Sequence, residues 1–236
     1  MAKFLFRDVK VYFDKYDLTP ATTSFSIELA APGIDSTTFQ DSGERMVGGV
    51  RADGFEWAGL LEDSDSMNDA VGTHLGSGNR VISVVIGSNT GSVSYGSTGQ
   101  MYAARNPINI RDMVRQETIT RPDQAWDRSE LMAPKTTGTA AANFGTLDAG
   151  ALSTAGGTMY AHMFSMAGNL ATGSGTLRVE DSSDGTTWAV FTTFLATAPT
   201  AAKVSTSGTL DRYYRAAYSS TTCLLYTSPS PRDGLL

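Results

Sequence analysis

A chain of 236 residues with 18% charged residues and 24 glycines has room for one large β domain or two smaller ones. Its net charge of −6 argues against tight nucleic-acid binding, which needs basic patches to displace counterions from phosphate. One cysteine, Cys223, excludes an internal disulfide and a thiolate metal cluster, and no run approaches the roughly 20 apolar residues of a membrane span.

The opening Met1-Ala2-Lys3-Phe4-Leu5-Phe6-Arg7 meets charge too early for a secretory signal, so synthesis in a cytoplasm is expected. Val9, Val11 and Phe13 alternate with Lys10 and Tyr12, and Asp14 to Asp17 marks a turn. Phe25, Ile27 and Leu29 alternate with Ser24, Ser26 and Glu28, the period of a half-buried strand. From Asp35 to Gly54 the pattern dissolves into glycine and charge, predicting a long loop. Phe55 and Trp57 then share one strand face. Residues 64–75 read as a helix, with Ser66 and Asp69 at capping-box spacing and Met67, Val71 and Leu75 on one side. Val81–Ile86 reads as a buried strand. Strands are expected again at Ser92–Ala104 and Ile108–Thr120.

Residues 121–134 are polar and punctuated, and 136–142 carry Thr, Ala and Gly almost without charge. These features place a linker at 134–145 between a first domain, 1–133, and a second, 146–222. The first holds 12 Lys/Arg against 18 Asp/Glu, so the acidic excess lies there. In the second, strands are expected at 159–166, 175–180, 187–194, 202–205 and 210–218, with Asp184-Gly185 as a hairpin turn. Residues 223–233, Cys-Leu-Leu-Tyr-Thr-Ser-Pro-Ser-Pro-Arg-Asp, resemble a translated sequencing adapter. The tail 223–236 is therefore expected to be foreign to the fold, leaving the second sandwich without a closing strand.

Catalytic chemistry finds little support. His74 and His162 fall in different predicted domains, the first at a helix end and the second on a strand face beside Tyr160 and Phe164. Asp63 and Asp65 mimic the opening of a calcium loop, but Met67, Asn68 and His74 break its pattern. Gly87–Gly91 and Gly96–Gly99 lack the residues of a phosphate cradle and read as turns. The aromatics among Lys3, Arg7, Lys10 and Lys15 have strand spacing, which favours packing over base stacking. No catalytic, cofactor-binding or metal-binding residue is assigned, no cofactor is expected, and the chain is not expected to be an enzyme. The turn Asp181 to Trp188 resembles the Ser-x-Asp-Gly-x-x-Trp turn of carbohydrate-binding sandwiches. Trp188 is accordingly the candidate sugar contact, with Tyr160 beside it.

The order of elements from Val9 to Leu61 resembles the N-terminal region of the major tail tube proteins of long-tailed (siphophage-type) bacteriophages. Ile34-Asp35-Ser36-Thr37-Thr38-Phe39, the charged Gly loop, the strand Gly54-Phe55-Glu56-Trp57-Ala58-Gly59 and the helix Ser66–Leu75 come in the same succession. The second half, with Asp-Gly-x-x-Trp and Asp211-Arg212-Tyr213-Tyr214-Arg215-Ala216, is similar to the accessory sandwich some such subunits carry. The resemblance implies an all-β fold with one short helix: a tail-tube-like sandwich or barrel, then a smaller, truncated immunoglobulin-like or jelly-roll-like sandwich. It implies a structural virion protein assembled in the bacterial cytoplasm. Its partners would be copies of itself, in six-membered rings that stack, and other tail proteins. DNA would pass through the lumen transiently, and no membrane is involved. Asp41, Glu44, Arg45, Gly48, Gly49 and Arg51 form the candidate assembly loop, and an acidic lumen is expected from acids near 54–62 and 108–120. The competing reading is a carbohydrate-binding, adhesin or decoration module on a phage particle.

Overall fold

The computed structural model describes residues 8–31, 33–38, 43–48, 53–60, 67–105, 115–138, 142–154, 156–166, 175–196, 200–218 and 223–228. The fold is nearly all β, with one short helix among these residues. β1 (Val9–Phe13) and β2 (Tyr16–Asp17) form a hairpin about Asp14 and Lys15, Asp14 taking the left-handed φ of 51° that Asp tolerates. β3 (Thr22–Glu28), β4 (Gly33–Asp35), β5 (Met46–Gly48) and β6 (Gly54–Leu60) precede α1 (Met67–His74). β7 (Arg80–Ile86), β8 (Val93–Arg105), β9 (Arg115–Pro122) and β10 (Asp127–Glu130) follow. The remaining strands are β11 (Ala133–Gly138), β12 (Ala142–Asp148), β13 (Gly157–Met166), β14 (Gly175–Ser182), β15 (Ala189–Ala196), β16 (Thr200–Thr206), β17 (Tyr213–Tyr218) and β18 (Cys223–Ser228).

Two compact units divide these elements. One comprises Ala21–Asn79 and Gly99–Trp126. Its strands run in the order β8, β9, β6, β3, each antiparallel to its neighbour. The register sets Phe55 opposite Thr120 and Trp57 opposite Thr118, so one sheet face carries the buried side chains. Met101, Ala70, Val71 and Trp126 are also buried in this unit. Asp53 fastens the Trp126 backbone, whose N–H donates to its carboxylate at 3.0 Å, while the Trp126 ring meets Phe55 edge-on. The helix turns differently from its expected face: Ala70, Val71 and His74 are buried and Leu75 is half-exposed. Ser66, Asp63 and Asp65 lie outside the described residues.

The other unit comprises Met1–Pro20, Arg80–Thr98 and Asp127–Leu236. Two four-stranded sheets, β11-β18-β13-β16 and β12-β17-β14-β15, close on a shared core. Met159 and Ala161 of β13 meet Leu177 and Val179 of β14 and Ala216 of β17, joined by Met132 and Ala133. Sheets that pack face to face in this way bury alternate residues of each strand.

β13 departs from that rule, because both of its faces are covered. Its odd-numbered residues Met159 and Ala161 enter the sandwich core, and Met163 is likewise buried. Its even-numbered residues pack on the N-terminal strands. The Tyr160 ring lies on Gly96 of β8, where an added Cβ would stand 2.4 Å from a ring carbon. The Tyr160 hydroxyl donates to Asp127 at 2.5 Å. His162 joins the β1–β2 turn and β7, and Phe164 packs with Tyr12, Val85 and Leu131. The near-continuous apolar run of 157–166 is the mark of a strand buried on both sides.

This arrangement differs from the expected division into 1–133 and 146–222. Residues 127–236 group with 1–20 and 80–98, because β13 serves two cores at once. The stretch 134–145, expected as a linker, carries the end of β11 and the start of β12. Residues 121–134, expected as irregular, hold β10 and the buried Trp126, Leu131, Met132 and Ala133. Gly96 and Gly99 are not turns but lie inside β8, where the Arg121 and Pro122 backbone comes within 2.7 to 2.9 Å of a Cβ added at Gly99. Residues 223–228, expected to lie outside the fold, form β18 between β11 and β13, so the sheet edge expected after Thr222 is occupied.

Candidate self-assembly surface

Between β3 and β6 the chain makes a two-stranded sheet of its own. β4 pairs with β5 through Gly33–Gly48, Ile34–Val47 and Asp35–Met46. This hairpin replaces part of the loop expected over 35–54. Its connection is stitched by Ser36 N–H to the Arg45 carbonyl at 2.8 Å and Arg45 N–H to the Thr37 hydroxyl at 2.8 Å. The Thr37 hydroxyl and backbone N–H, the latter at 2.9 Å, hold the Asp35 carboxyl below the usual carboxylate range.

Every residue of both strands is exposed. Ile34 and Val47, directly opposite one another, share one face, and Met46 lies on the other, over Gly33. Their exposures are 53%, 45% and 54%, and Leu29 just before them reaches 53%. A lone two-stranded hairpin is marginal in water without a third strand or a packed face. Here the apolar residues that would pack it point into solvent.

The neighbouring strand β3 is unfinished in the same sense. Among the described residues it ends the strand order of its sheet, and Phe25 and Ile27, on the core-facing side, are only half-buried. An edge strand of seven residues with apolar side chains half-covered is a template for strand addition.

Of the candidate assembly-loop residues, Glu44, Arg45 and Gly48 sit in or beside this hairpin and are exposed. Asp41, Gly49 and Arg51 lie outside the described residues. Charge and glycine mark the segment in the sequence, and Ile34 stands in the motif that carries the resemblance, whereas Met46 and Val47 were missed. A short Met-Val pair opposite Gly-Ile, flanked by glycines, was the available signal.

The open face of the β8-β9-β6-β3 sheet is not acidic. Register places Glu28, Glu56 and Glu117 there, matched one for one by the exposed Arg105, Arg115 and Arg121. Glu117 stands directly opposite Arg105. The expected acidic lining therefore finds no support on this face; Asp112 and Glu62 fall outside the described residues.

The Trp188 turn is held by its own hydrogen bonds. Asp184 accepts from Thr187 N–H at 2.7 Å and Thr186 N–H at 2.8 Å, and Ser182 Oγ donates to it at 2.9 Å. These bonds, Thr187's foremost, hold its carboxyl far below the carboxylate range. Gly185 supplies the φ of 73° that the turn needs. The Trp188 ring is half-buried beneath the Arg215 guanidinium, 4.3 Å from its centre, and Arg215 is ion-paired to Glu180 at 2.6 Å. Tyr160 is fully buried, so the two aromatics do not form a shared exposed platform. Asp184→Asn is expected to lower the thermal midpoint at pH 7. That gap should begin to narrow as the pH falls below about 4, where the unfolded chain's carboxyl protonates while the folded one, held far lower, stays charged. Calorimetry across pH 2 to 7 checks it.

Among the described residues, no group of three or more His, Cys, Asp and Glu could hold a metal ion. His74 and His162 are both buried, in different units.

No protein-family model and no curated protein matches the chain. Among solved structures it is similar to a chain of the virion of a native gene transfer agent particle, at TM-score 0.41 and 16% identity over 52% of this chain and 96% of that one. It is similar to the SPP1 tail tube at TM-score 0.44 and 13% identity, over 52% and 78%. Over 94% of its length it is similar to SPP1 Dit, a hub protein of the adsorption apparatus of phages infecting Gram-positive bacteria, at TM-score 0.33 and 10% identity, covering 99% of that chain.

Proposed function

We propose that this chain is a structural virion protein: a phage tail tube subunit that polymerises as stacked six-membered rings around a DNA conduit. The observation that carries the reading is the β4–β5 hairpin, folded yet with Ile34, Met46 and Val47 in solvent. Such a segment gains stability only when another surface covers it, and a copy of the same chain in the next ring is the occupant proposed. The edge of β3, beyond which no described strand pairs, offers the second contact, along which sheets of neighbouring subunits would join. Two surfaces of different kind on one subunit give heterologous contacts, which propagate into filaments. The order of elements along residues 9–61 supports the same reading. The sandwich, resting on β13, would stand as the accessory part, and other tail proteins would meet the ends of the tube.

The charge-matched sheet face suits a conduit in a way not expected from the acidic composition. Alternating Glu and Arg neither hold phosphate nor add strong repulsion, so DNA would slide without a binding site. Negative-stain microscopy of the concentrated protein tests the proposal, with rings or tubes as the expected outcome. A chain that stays monomeric at every concentration, including when seeded with tail tips, would overturn it.

A further inference from the structure

His162 is completely buried and bridges three elements. Its Nδ1 lies 2.8 Å from the carbonyl of Asp14 in the β1–β2 turn, and its Nε2 lies 2.8 Å from Ser83 Oγ of β7. A carbonyl only accepts, so Nδ1 carries the hydrogen, and in the neutral ring Nε2 accepts from the Ser83 hydroxyl. The two bonds thus hold the neutral imidazole in one defined tautomer. Its ring stacks on Phe164 at 9° and leans on Tyr12, so it has nowhere to turn.

We propose that His162 is an acid-sensitive latch that fastens the sandwich strand β13 to the β1–β2 turn and β7. Protonation at Nε2 would force the buried Ser83 hydroxyl to turn its own hydrogen away from the ring. It would also place a positive charge in an apolar, aromatic pocket. The charged groups around it do not rescue that charge. The Asp14 carboxylate is engaged by Arg80 at 3.2 Å, and Asp17 stands on β2 opposite Tyr12, whose phenol burial keeps protonated. Two residues earlier on β13, Tyr160 holds Asp127 of β10, which also faces Lys203 at 3.9 Å. Burial consequently outweighs the pull of Asp14 and Asp17 and lowers the imidazole to about 4.

The direction of the effect follows. The unfolded or unlatched imidazole protonates near 6.5 and the latched one only near 4, so acid favours release between those values. Between pH 7.5 and pH 5 the latch is expected to lose about 30-fold in closed-to-open ratio. Hydrogen exchange, corrected for the intrinsic rate, reads this on peptides covering residues 157–166 and 9–17. Protection of both should fall about 30-fold in the wild type and less than about threefold in His162→Gln, which keeps a hydrogen-bonding side chain without the titration. Equal losses in the two proteins, or no loss in the wild type, would overturn the proposal. Should the variant fail to fold, nitrogen NMR of the wild type decides. The expected result is an Nδ1–H tautomer persisting down to about pH 5, and a midpoint near 6.5 would refute the latch.

Discussion

Gly96→Val is expected to remove about 3 kcal/mol of stability, a large part of the roughly 5–15 kcal/mol that holds a typical domain folded. The reason is local and rigid. A first side-chain carbon at Gly96 would meet Tyr160 ring atoms at 2.4, 2.5 and 2.8 Å. Tyr160 has no room to yield, being fully buried with its hydroxyl bound to Asp127. Valine adds further atoms to the same collision, in the middle of β8. The control is Gly72→Ala in α1, where nothing lies within 4 Å and the position is exposed. That change should stabilise by roughly 0.5–1 kcal/mol through lower chain entropy. Urea midpoints followed by circular dichroism separate the two. Equal midpoints would mean that the Tyr160 contact does not hold β13 to β8.

Ile34→Asp combined with Val47→Asp should do the opposite: spare the fold and abolish assembly. Both side chains are about half-exposed in the single chain, so placing charge there costs little stability. Burying each in an interface is worth roughly 1.5–3 kcal/mol, and two facing aspartates would repel one another as well. The concentration needed for rings or tubes is expected to rise at least about 100-fold while the thermal midpoint stays within a degree or two. Light scattering against concentration measures the first quantity and calorimetry the second. A fall in both together would assign the hairpin to the core of the subunit and not to its surface.

The parts of the fold legible in the sequence are those whose cause lies within a few residues. Alternation of Phe25 and Ile27 with serines marks β3, Asp184-Gly185 marks the β14–β15 turn, and Phe55 and Trp57 mark the buried face of β6. The parts that escaped have distant causes. β11 and β12 lack an alternating apolar pattern and are strands because β17 and β18 pair with them. Gly96 reads as a turn until Tyr160 is seen lying on it, and no local pattern marks that contact. His162 shows a strand-face period, but its bond to Asp14 joins residues far apart in the chain. The candidate assembly segment was half-legible: glycine and charge set it apart, while three short apolar residues gave too little periodicity for a strand. The acidic excess of the first 133 residues did not translate into an acidic sheet face, because cross-strand register brought arginines between the glutamates.

Hydrogen exchange of residues 33–38 and 43–48, compared between the single subunit and its assembled form, tests the account most directly. In the subunit these amides should exchange close to the rate of an unstructured peptide, since the hairpin is marginal and uncovered. In the assembly the same amides should slow by two orders of magnitude or more, while those of β6 and β9 barely change. A hairpin already protected in the subunit, or one still exchanging freely inside a formed tube, would contradict the role given to it.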